Sequence, residues 1–411
     1  MKILVLNSGS SSQKSCLYEI VGDQLPGHPP KPVWQAIVDW THHQGFAELE
    51  VKTAENAVFK EKIQADSYAS ATERVLATLL EGETQVIKEA KEIDAVGHRV
   101  VHGGQEYNQA TLVTEEVKAA IRRLASFAPL HNPTNLEGIE ATEKVFPEAA
   151  QVAVFDTSFH SYIPLSAAVY PGPYAWYEKE GIRRYGFHGI SHQYCSQRAA
   201  QLLGKDLNSL RLITCHLGNG CSLTAIKDGK SIDTTMGFTP LDGLMMGTRC
   251  GSLDPGILIY LLRHQGIDAD KLDDILNHDS GLKGISGISG DMRAIQTAIS
   301  EGNTRAQLAF DMYIHRLRSH IGSMLAVLGG LDAIVFTGGI GENHSLTRSA
   351  ACEAFAFLGL KLDETKNQAA PKDQDIAAVD SNIRVLVIQT QEDWAIAQEC
   401  WHLLHLSKVN G

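Results

Sequence analysis

Two segments of this chain join an apolar run to a turn of glycine and small polar residues, and this repeat constrains the fold more than any other feature. In the first, apolar runs at residues 3–6 and 16–18 flank a polar stretch: Asn7, Ser8, Gly9, Ser10, Ser11, Ser12, Gln13 and Lys14. The pattern predicts a hairpin in which Gly9 can adopt a positive φ and the turn offers hydroxyl and N–H donors beside the Lys14 charge. Taken alone, the segment fits either a phosphate-binding turn or a surface turn rich in Ser and Gly.

The second segment follows close to half a chain length later. Apolar residues 211–215 run into His216, Leu217, Gly218, Asn219, Gly220, Cys221 and Ser222. Gly218 stands where Gly9 stands, which suggests two copies of one supersecondary unit in 411 residues. A third glycine-rich turn, at 337–343, follows a strand of buried type at 333–336. Three strand-to-glycine turns favour a nucleotide site over chance loops.

Composition limits the class of protein. The chain has 44% hydrophobic and 20% charged residues, which is ordinary for a soluble enzyme, and its length allows two domains with full cores. A net charge of −12 argues against binding to nucleic acid or to an anionic membrane. The 7 cysteines are scattered and never form a C-x-x-C pair, so neither a disulfide framework nor a zinc site is indicated. With an N-terminal apolar run too short for a signal peptide, we expect a soluble, cytoplasmic protein.

Strand-like and helical patterns alternate along the chain, which predicts an α/β protein. Strands are expected near 2–6, 16–21, 33–38, 94–100, 152–155, 211–216, 222–227, 230–234, 333–337 and 384–388. Helices are expected near 69–91, 114–126, 134–145, 190–203, 303–328, 345–358 and from about 392. Thr114 is a candidate N-cap, with Glu115 and Glu116 in the first turn behind it. The segment 368–381, rich in Ala, Asp, Gln and Pro, is typical of a surface loop.

Several strings resemble the acetate kinase family, and the similarity covers nearly the whole chain. Residues 6–14 resemble its first signature and residues 236–249 its second; further family-like strings lie at 97–104, 128–133, 155–160 and 185–189. Ser252, Gln13 and Cys16 depart from the usual family pattern. These departures leave the fine tuning of the site open, but they do not change the class of protein that the resemblance implies.

The resemblance implies a fold and a domain organisation. It predicts two duplicated ribonuclease H-like domains of the actin, sugar kinase and chaperone ATPase superfamily, with a nucleotide cleft between them. The expected boundaries are 1–158 for the N-terminal domain, joined by the C-terminal helix at about 392–411, and 159–391 for the nucleotide-binding domain. A homodimer is what the family implies.

Two arginines are candidates for handling anionic groups. A carboxylate that attacks a γ-phosphate is already ionised at pH 7, so the main obstacle is repulsion between two anions. The planar, permanently charged guanidinium suits both carboxylate and phosphoryl oxygens. The resemblance assigns Arg99 to the substrate carboxylate and Arg249 to the phosphoryl group in the transition state. Taken alone, either arginine also fits a surface ion pair.

Three further residues are predicted at the reacting centre. The resemblance gives His188 a hydrogen bond to the transferring phosphoryl group and Asp156 an acid/base role. Since carboxylate attack needs no deprotonation, we expect Asp156 mainly to orient metal or water. His131 helps to hold the phosphoryl group or is a hydrogen-bonded structural histidine. His188 and His192 have the i, i+4 spacing of a zinc helix, but the H-E-x-x-H pattern is absent.

The cofactor and nucleotide residues also follow from the resemblance. Mg²⁺, with Mn²⁺ as a substitute, is a hard cation that prefers oxygen ligands, and Asn7 and Glu392 match the family's metal positions. The predicted ATP and ADP contacts are Ser10, Ser12, Lys14, His216, Leu217, Gly218, Asn219, Gly220, Asp291, Met292, Arg293, Gly339, Ile340, Gly341, Glu342 and Asn343. The predicted apolar pocket for the substrate methyl group is Val101, Leu130, Phe187 and Pro240. Valine at 101 leaves little space, which favours acetate and leaves propionate a weak substrate.

The leading hypothesis is reversible, direct in-line phosphoryl transfer between ATP and acetate, giving acetyl phosphate and ADP on the way to acetyl-CoA. The alternatives are a propionate or butyrate kinase on the same scaffold and a nucleotide-gated binding protein. A chaperone would need an appended peptide-binding domain, and the motif-bearing segments already use almost the whole chain.

Overall fold

The computed structural model describes residues 1–9, 12–40, 46–64, 67–129 and 131–409. The chain forms two compact units: Met1–Ser158 with Gln391–Gly411, and Phe159–Thr390. Each unit contains one mixed β-sheet with helices packed on it. Among the described helices, none is both long and apolar enough to cross a membrane.

The strands are β1 (Lys2–Ser8), β2 (Ser12–Glu19), β3 (Trp34–Asp39), β4 (Phe46–Thr53), β5 (Val58–Gln64), β6 (Ala95–Val100), β7 (Thr111–Leu112), β8 (Ala150–Phe155), β9 (Arg211–Leu217), β10 (Cys221–Lys227), β11 (Lys230–Thr234), β12 (Ala333–Thr337), β13 (Gln374–Asp375) and β14 (Arg384–Val387). The α-helices are α1 (Tyr68–Leu80), α2 (Glu115–Arg123), α3 (Asn132–Val145), α4 (Leu165–Ala168), α5 (Tyr174–Glu178), α6 (Gly189–Leu203), α7 (Pro255–His264), α8 (Ala269–His278), α9 (Gly281–Ser286), α10 (Met292–Ser300), α11 (Thr304–Leu328), α12 (Gly338–Asn343), α13 (Ser345–Glu353), α14 (Glu364–Gln368) and α15 (Glu392–Val409).

The two sheets repeat one topology, which confirms the predicted α/β fold with a duplicated unit. The first sheet has the order β5-β4-β3-β2-β1-β6-β8-β7 and the second β11-β10-β9-β12-β14-β13. In each, an antiparallel hairpin (β1 with β2, β9 with β10) continues through a parallel neighbour, β6 or β12. A further parallel strand, β8 or β14, follows in both. The strand after each hairpin, β3 or β11, extends the other side of the sheet.

The predicted N-terminal hairpin is confirmed, but its glycine behaves differently from expectation. Ser8 pairs with Gln13 at the end of the ladder, and Gly9 N–H donates to the Ser12 carbonyl at 2.9 Å. Neither Gly9 nor Gly218 has a positive φ. In the third turn, by contrast, Gly338 has φ +76° and opens α12. Gly9 is therefore not needed for a left-handed backbone conformation in this turn.

The seven predicted helices are present as α1, α2, α3, α6, α11, α13 and α15, while some predicted ends are wrong and the other eight described α-helices were missed. Thr114 caps α2 by accepting a hydrogen bond from Val117 N–H, as expected. The predicted helix at 69–91 ends at Leu80, because Glu81 is extended and Gly82 has φ +81°. The predicted helix at 345–358 ends at Glu353.

The apolar pattern does not predict every strand at the outer side of each sheet. The charged strands β4 and β5 were missed, although β4 alternates exposed and buried residues as an outer strand does. The predicted loop at 368–381 contains the short strand β13, and Ile376 and Ala377 in it are buried. The core of the first unit lies between α1 and strands β1, β3 and β4, and α15 packs against β1 and β6.

Candidate functional site

In the first unit, polar residues meet at the carboxyl ends of the parallel strands β1, β6 and β8. Arg99, in β6, places Nη2 2.9 Å from Oδ2 of Asp156, the residue after β8. Its Nη1 donates to the Asn7 side-chain oxygen at 3.4 Å. The carboxyl ends of neighbouring parallel strands share one sheet edge, which explains why residues so far apart in sequence converge. The sequence-predicted residues Asn7, Arg99 and Asp156 are therefore brought together.

The start of α15 adds two carboxylates to this cluster. Asn7 Nδ2 donates to Glu392 Oε2 at 3.2 Å and to Asp393 Oδ1 at 2.8 Å. Burial opposes the charge on Arg99, but the carboxylates of Asp156 and Glu392 outweigh burial and raise the pKa of the guanidinium above its usual value. Burial raises the pKa of Asp393, and the Asn7 hydrogen bond opposes that rise. Asp393 was not predicted, because an acidic residue beside Glu392 carries no signal of its own.

The three residues that depart from the family pattern, Gln13, Cys16 and Ser252, each contact another polar side chain. Cys16 Sγ is 3.7 Å from Asp393 Oδ2, and Gln13 is fully buried, where its amide oxygen accepts from Thr72. Lys14 lies directly opposite Asn7 in the β1–β2 ladder. In the second unit, Ser252 Oγ donates to Asp242 Oδ1 at 2.6 Å.

The segment after β6 carries Val101, which is buried at 4% exposure. Its N–H donates to Asn135 Oδ1 at 3.1 Å, and the N–H of His102 donates to Asn132 Oδ1 at 3.1 Å. His131 immediately precedes α3 and is half-buried. The two buried asparagines were missed because polar residues in a first helical turn normally signal capping. The predicted Leu130 and Ser10 lie outside the described residues, and Ser12, half-buried, begins β2.

In the second unit, His188 is held in a strained backbone conformation at the start of α6. It has φ 57° and ψ 25°, a left-handed conformation that is uncommon for residues other than glycine. The nearby Gly186 has φ +78°, and an added Cβ would lie 2.6 Å from His160 and Thr234. His160 Nε2 donates to the carbonyl of buried Phe187 at 3.0 Å. Strain of this kind persists only where surrounding contacts enforce it.

His188 and Arg249 both lie against Gly220. A Cβ added to Gly220 would be 3.4 Å from His188 Cε1 and 3.4 Å from Arg249 Nη1. The His188 ring also stacks on His216 with a centroid distance of 4.2 Å. The absence of a side chain at Gly220 therefore allows the His188 ring and the Arg249 guanidinium to lie close to the backbone of this turn.

Arg249 is a half-buried cation that the described residues do not pair with any carboxylate. Its Nη1 lies 3.5 Å from the carbonyl oxygen of half-buried Pro240. Burial lowers the pKa of the guanidinium. A desolvated arginine without an acidic partner is suited to an anionic ligand.

A pocket of about 730 Å³ opens in the second unit. Its lining is Gly218, Asn219, Thr248, Gly290, Asp291, Met292, Arg293, Gly339, Ile340, Asn343 and His344. Eight of these were predicted as nucleotide contacts. Gly290 and His344 were missed because they stand beside the predicted contacts, and Thr248 because no role was assigned to it within the string 236–249. The size is that of a small-molecule site.

Seven predicted nucleotide residues that the structure describes are not part of this lining: Ser12 and Lys14 in the first unit, and His216, Leu217, Gly220, Gly341 and Glu342 in the second. Leu217 is fully buried. The Glu342 carboxylate accepts from the N–H groups of Gly338 at 3.0 Å and Thr390 at 3.1 Å. Through these contacts Glu342, near the end of α12, holds the backbone at the start of that helix and at Thr390.

The side chains of the first unit suit a metal ion that takes few ligands from protein. Among the described residues, no three or more His, Cys, Asp or Glu side chains are grouped to hold a cation. Both ring nitrogens of His192 contact hydroxyls, those of Thr214 and Ser222. Mg²⁺ commonly binds one or two carboxylates and completes its shell with water and phosphate oxygens. The Glu392 carboxylate and the side-chain oxygen of Asn7 fit a Mg²⁺ ion that takes only one or two ligands from protein.

Comparison with known proteins gives one consistent result. The sequence profile of the acetokinase family matches residues 2–398. The chain is 64% identical over 404 residues to an acetate kinase from Cyanothece sp., covering 98% of each protein. It resembles the crystal structure of Porphyromonas gingivalis acetate kinase with a TM-score of 0.89 and 40% identity, over 98% of this chain and 99% of that one. A propionate kinase from Francisella tularensis aligns with a TM-score of 0.87 and 39% identity, over 97% and 98%. The chain belongs to the acetokinase family.

Proposed function

We propose that this chain catalyses reversible phosphoryl transfer between ATP and acetate, giving acetyl phosphate and ADP. The observation that carries the proposal is Arg249, a half-buried cation beside His188 and Gly220 without a carboxylate partner in the described chain. It occurs in a sequence 64% identical to an acetate kinase. A fixed arginine stabilises the charge that spreads over the phosphoryl oxygens in the transition state.

In the proposed reaction, an acetate oxygen forms a bond to the γ-phosphorus of ATP while the bond to the bridging oxygen breaks. Arg99 binds the acetate carboxylate, and His188 and Arg249 hold phosphoryl oxygens; His131 assists. Asp156 is already engaged with Arg99 at 2.9 Å, so its role is to orient the guanidinium and solvent rather than to remove a proton. The nucleophile is an ionised carboxylate, so no base is required.

Mg²⁺ or Mn²⁺ is the proposed cofactor, held through Glu392 and the side-chain oxygen of Asn7. When bound, the cation neutralises charge on the nucleotide phosphates. Asn7 directs its amide N–H groups to Glu392 and Asp393 and its oxygen to Arg99. The Asn7 oxygen accepts one hydrogen bond from Arg99 at 3.4 Å, and its second lone pair is the proposed metal ligand.

The nucleotide is proposed to bind in the 730 Å³ pocket of the second unit. Gly339 and Ile340, at the start of α12, provide backbone against which a ligand can lie closely, and Arg293 is a nearby cation that pairs with Asp291 at 2.6 Å. The predicted contact Lys14, in the first unit, remains part of this proposal.

Propionate is the second candidate substrate, because the Francisella propionate kinase aligns over nearly the same length. Val101, Leu130, Phe187 and Pro240 are the proposed apolar contacts of the acyl group. Measuring hydroxamate formation from acetate, propionate and butyrate with ATP and Mg²⁺ distinguishes the two candidate substrates. A higher kcat/KM for acetate supports the first proposal, and a higher value for propionate overturns it in favour of the second.

A homodimer and a cytoplasmic location complete the proposal. Helix α7 has no buried residue and leaves Ile257, Ile259, Tyr260 and Leu262 between 40% and 56% exposed, and this exposed apolar area suits an interface. The seven cysteines are present as thiols, which suits a reducing compartment. Ile257→Asp should shift the enzyme to monomer in sedimentation velocity. Val379→Asp, at a residue 94% exposed, is the control and should leave the assembly unchanged.

A further inference from the structure

The hydroxyl of Ser222 lies between two imidazole rings. Its Oγ is 2.8 Å from His188 Nδ1 and 2.7 Å from His192 Nε2. The other nitrogen of His192, Nδ1, is 2.7 Å from the hydroxyl oxygen of Thr214. Ser222, His192 and Thr214 each have 0% exposure, so water does not compete for these contacts.

The fold explains why four polar side chains line up in a row. Ser222 pairs with His216 in the β9–β10 ladder, and Thr214 lies two residues before His216, so the three side chains share one sheet face. Helix α6 begins after His188 and places His192 one turn later on the same helix face. The row therefore runs from the start of the helix into the sheet.

The number of protons shared by these side chains limits the protonation states of the two imidazole rings. A serine hydroxyl carries one proton and can donate it to only one of the two rings, so the other ring must donate to Ser222. In the first arrangement, Ser222 donates to His188, His192 donates from Nε2 to Ser222, and Thr214 donates to Nδ1 of His192. In the second, His188 donates from Nδ1 to Ser222, Ser222 donates to His192, and His192 donates from Nδ1 to Thr214.

Thr214 distinguishes the two arrangements. In the first, its proton is donated to His192. In the second, Thr214 already accepts from His192 and needs another acceptor for its own proton, and within the described part of the chain none lies in hydrogen-bonding range. The cost of a buried donor without an acceptor corresponds to a population ratio of roughly tenfold to a hundredfold. The first arrangement is therefore favoured.

We propose that Thr214, His192 and Ser222 are positioning residues that hold His188 as a neutral imidazole with its proton on Nε2. Nε2 of His188 lies 3.5 Å from the Cβ position of Gly220, close to Arg249. The ring thus offers an N–H donor to a phosphoryl oxygen without adding a second positive charge beside the guanidinium. The inference rests on the proposed role of His188 in phosphoryl transfer.

The protonated nitrogen can be observed directly. Two-bond ¹H–¹⁵N correlation spectra of the full-length enzyme labelled with ¹⁵N-histidine distinguish both neutral tautomers and the cation, and the signal lost in His188→Gln assigns the residue. At about pH 7.5 without ligands, we expect the Nε2–H tautomer. A signal from the Nδ1–H tautomer or from the cation would overturn the inference.

Thr214→Val tests the far end of the row, because it removes the hydroxyl and nearly keeps the shape. We expect the Nδ1–H form of His188 to become populated and kcat to fall about tenfold, while KM for ATP changes less than about twofold. Thr214→Ser, which restores a hydroxyl, should recover both the tautomer and kcat. An unchanged His188 signal in folded Thr214→Val contradicts the proposal.

Ser222→Ala provides the second variant, should Thr214→Val fail to fold. Without the intervening hydroxyl, His188 should lose its single tautomer and kcat should fall at least as far as in Thr214→Val; a retained Nε2–H signal would oppose the inference. Ser222→Thr, which keeps a hydroxyl, is the matched control. Full turnover by His188→Gln would overturn the role of His188 in catalysis, whereas a wrong tautomer would overturn only the positioning inference.

Discussion

Asn7 Nδ2 donates a hydrogen bond of 2.8 Å to Asp393 Oδ1, and the two residues are 386 positions apart. The contact attaches the first residues of α15 to the end of β1. It also fixes the Asn7 amide so that its oxygen faces Arg99. Strand β1 and helix α15 thereby hold one polar cluster within the first unit.

The metal proposed at this cluster can be tested at Glu392. Glu392→Ala removes a hard oxygen ligand or the anchor of its water, so the Mg²⁺ concentration for half-maximal activity should rise at least several-fold. A Mg²⁺ titration at saturating ATP and acetate measures it. Glu399→Ala, a carboxylate on the same helix, is the control; equal titration curves for Glu392→Ala and wild type would place the metal elsewhere.

Arg249→Ala should lower kcat far more than it raises KM for ATP, because the contact strengthens as charge spreads in the transition state. The expected loss is on the order of 3 kcal/mol or more in activation free energy, by analogy with removal of one oxyanion donor. Arg249→Lys keeps the charge but loses the planar fork, so it should recover activity only in part.

The stability of these variants checks the structural account of Arg249. Because the guanidinium is desolvated without a carboxylate partner among the described residues, its removal should not lower the melting temperature. Near-normal turnover of a folded Arg249→Ala enzyme would refute the assignment to the phosphoryl group.

Val101→Ala should shift substrate preference toward propionate. Removing two methyl groups beside the acyl chain opens space for about one methylene, which is worth roughly 1–3 kcal/mol in an apolar pocket, so the ratio of kcat/KM for propionate over acetate should rise about tenfold or more. Val117→Ala, an equally conservative change at a residue buried in α2, should leave the ratio unchanged. A constant ratio in active Val101→Ala enzyme would remove Val101 from the pocket.

Acid should destabilise the first unit through His98. Burial lowers the pKa of His98 to about 4, below its ordinary value of 6.5. The unfolded chain therefore takes up the proton as the pH falls below about 6.5, while the folded protein does so only near pH 4, so stability is lost across this window. From about pH 7 to pH 5 the loss from His98 is about 2 kcal/mol. Burial lowers the pKa of His102 to about 4 as well, and it contributes in the same direction.

Urea denaturation of wild type and His98→Gln between about pH 7 and pH 5 measures this dependence. The glutamine amide can still donate to Gln151, whose Oε1 lies 2.8 Å from His98 Nε2. The variant should therefore show a flatter pH profile of unfolding free energy. The exposed His28→Gln is the control. A profile for His98→Gln as steep as that of wild type would mean that another group takes up the proton.

Local sequence determined ten of the fourteen described strands, the glycine turns and seven of the fifteen described α-helices, because these follow from the spacing of apolar residues and from nearby caps. The hairpin of β1 and β2 and the Thr114 cap of α2 are examples. The edge strand β5 and its neighbour β4 could not be predicted in this way because their charged residues obscure the alternation. Family-like strings supplied the candidate site residues, including most of the pocket lining.

Tertiary structure alone decided which polar groups meet. Asp393 joins Asn7 and Cys16 only because α15 returns to β1, and Thr214 reaches His188 only because α6 packs on the sheet face that carries Ser222. Hydrogen bonds depend on distances of about 3 Å between residues far apart in sequence, and no local periodicity encodes them. The amino-acid types therefore supply the chemical groups, and the packing of helices on sheets sets their orientation and partners.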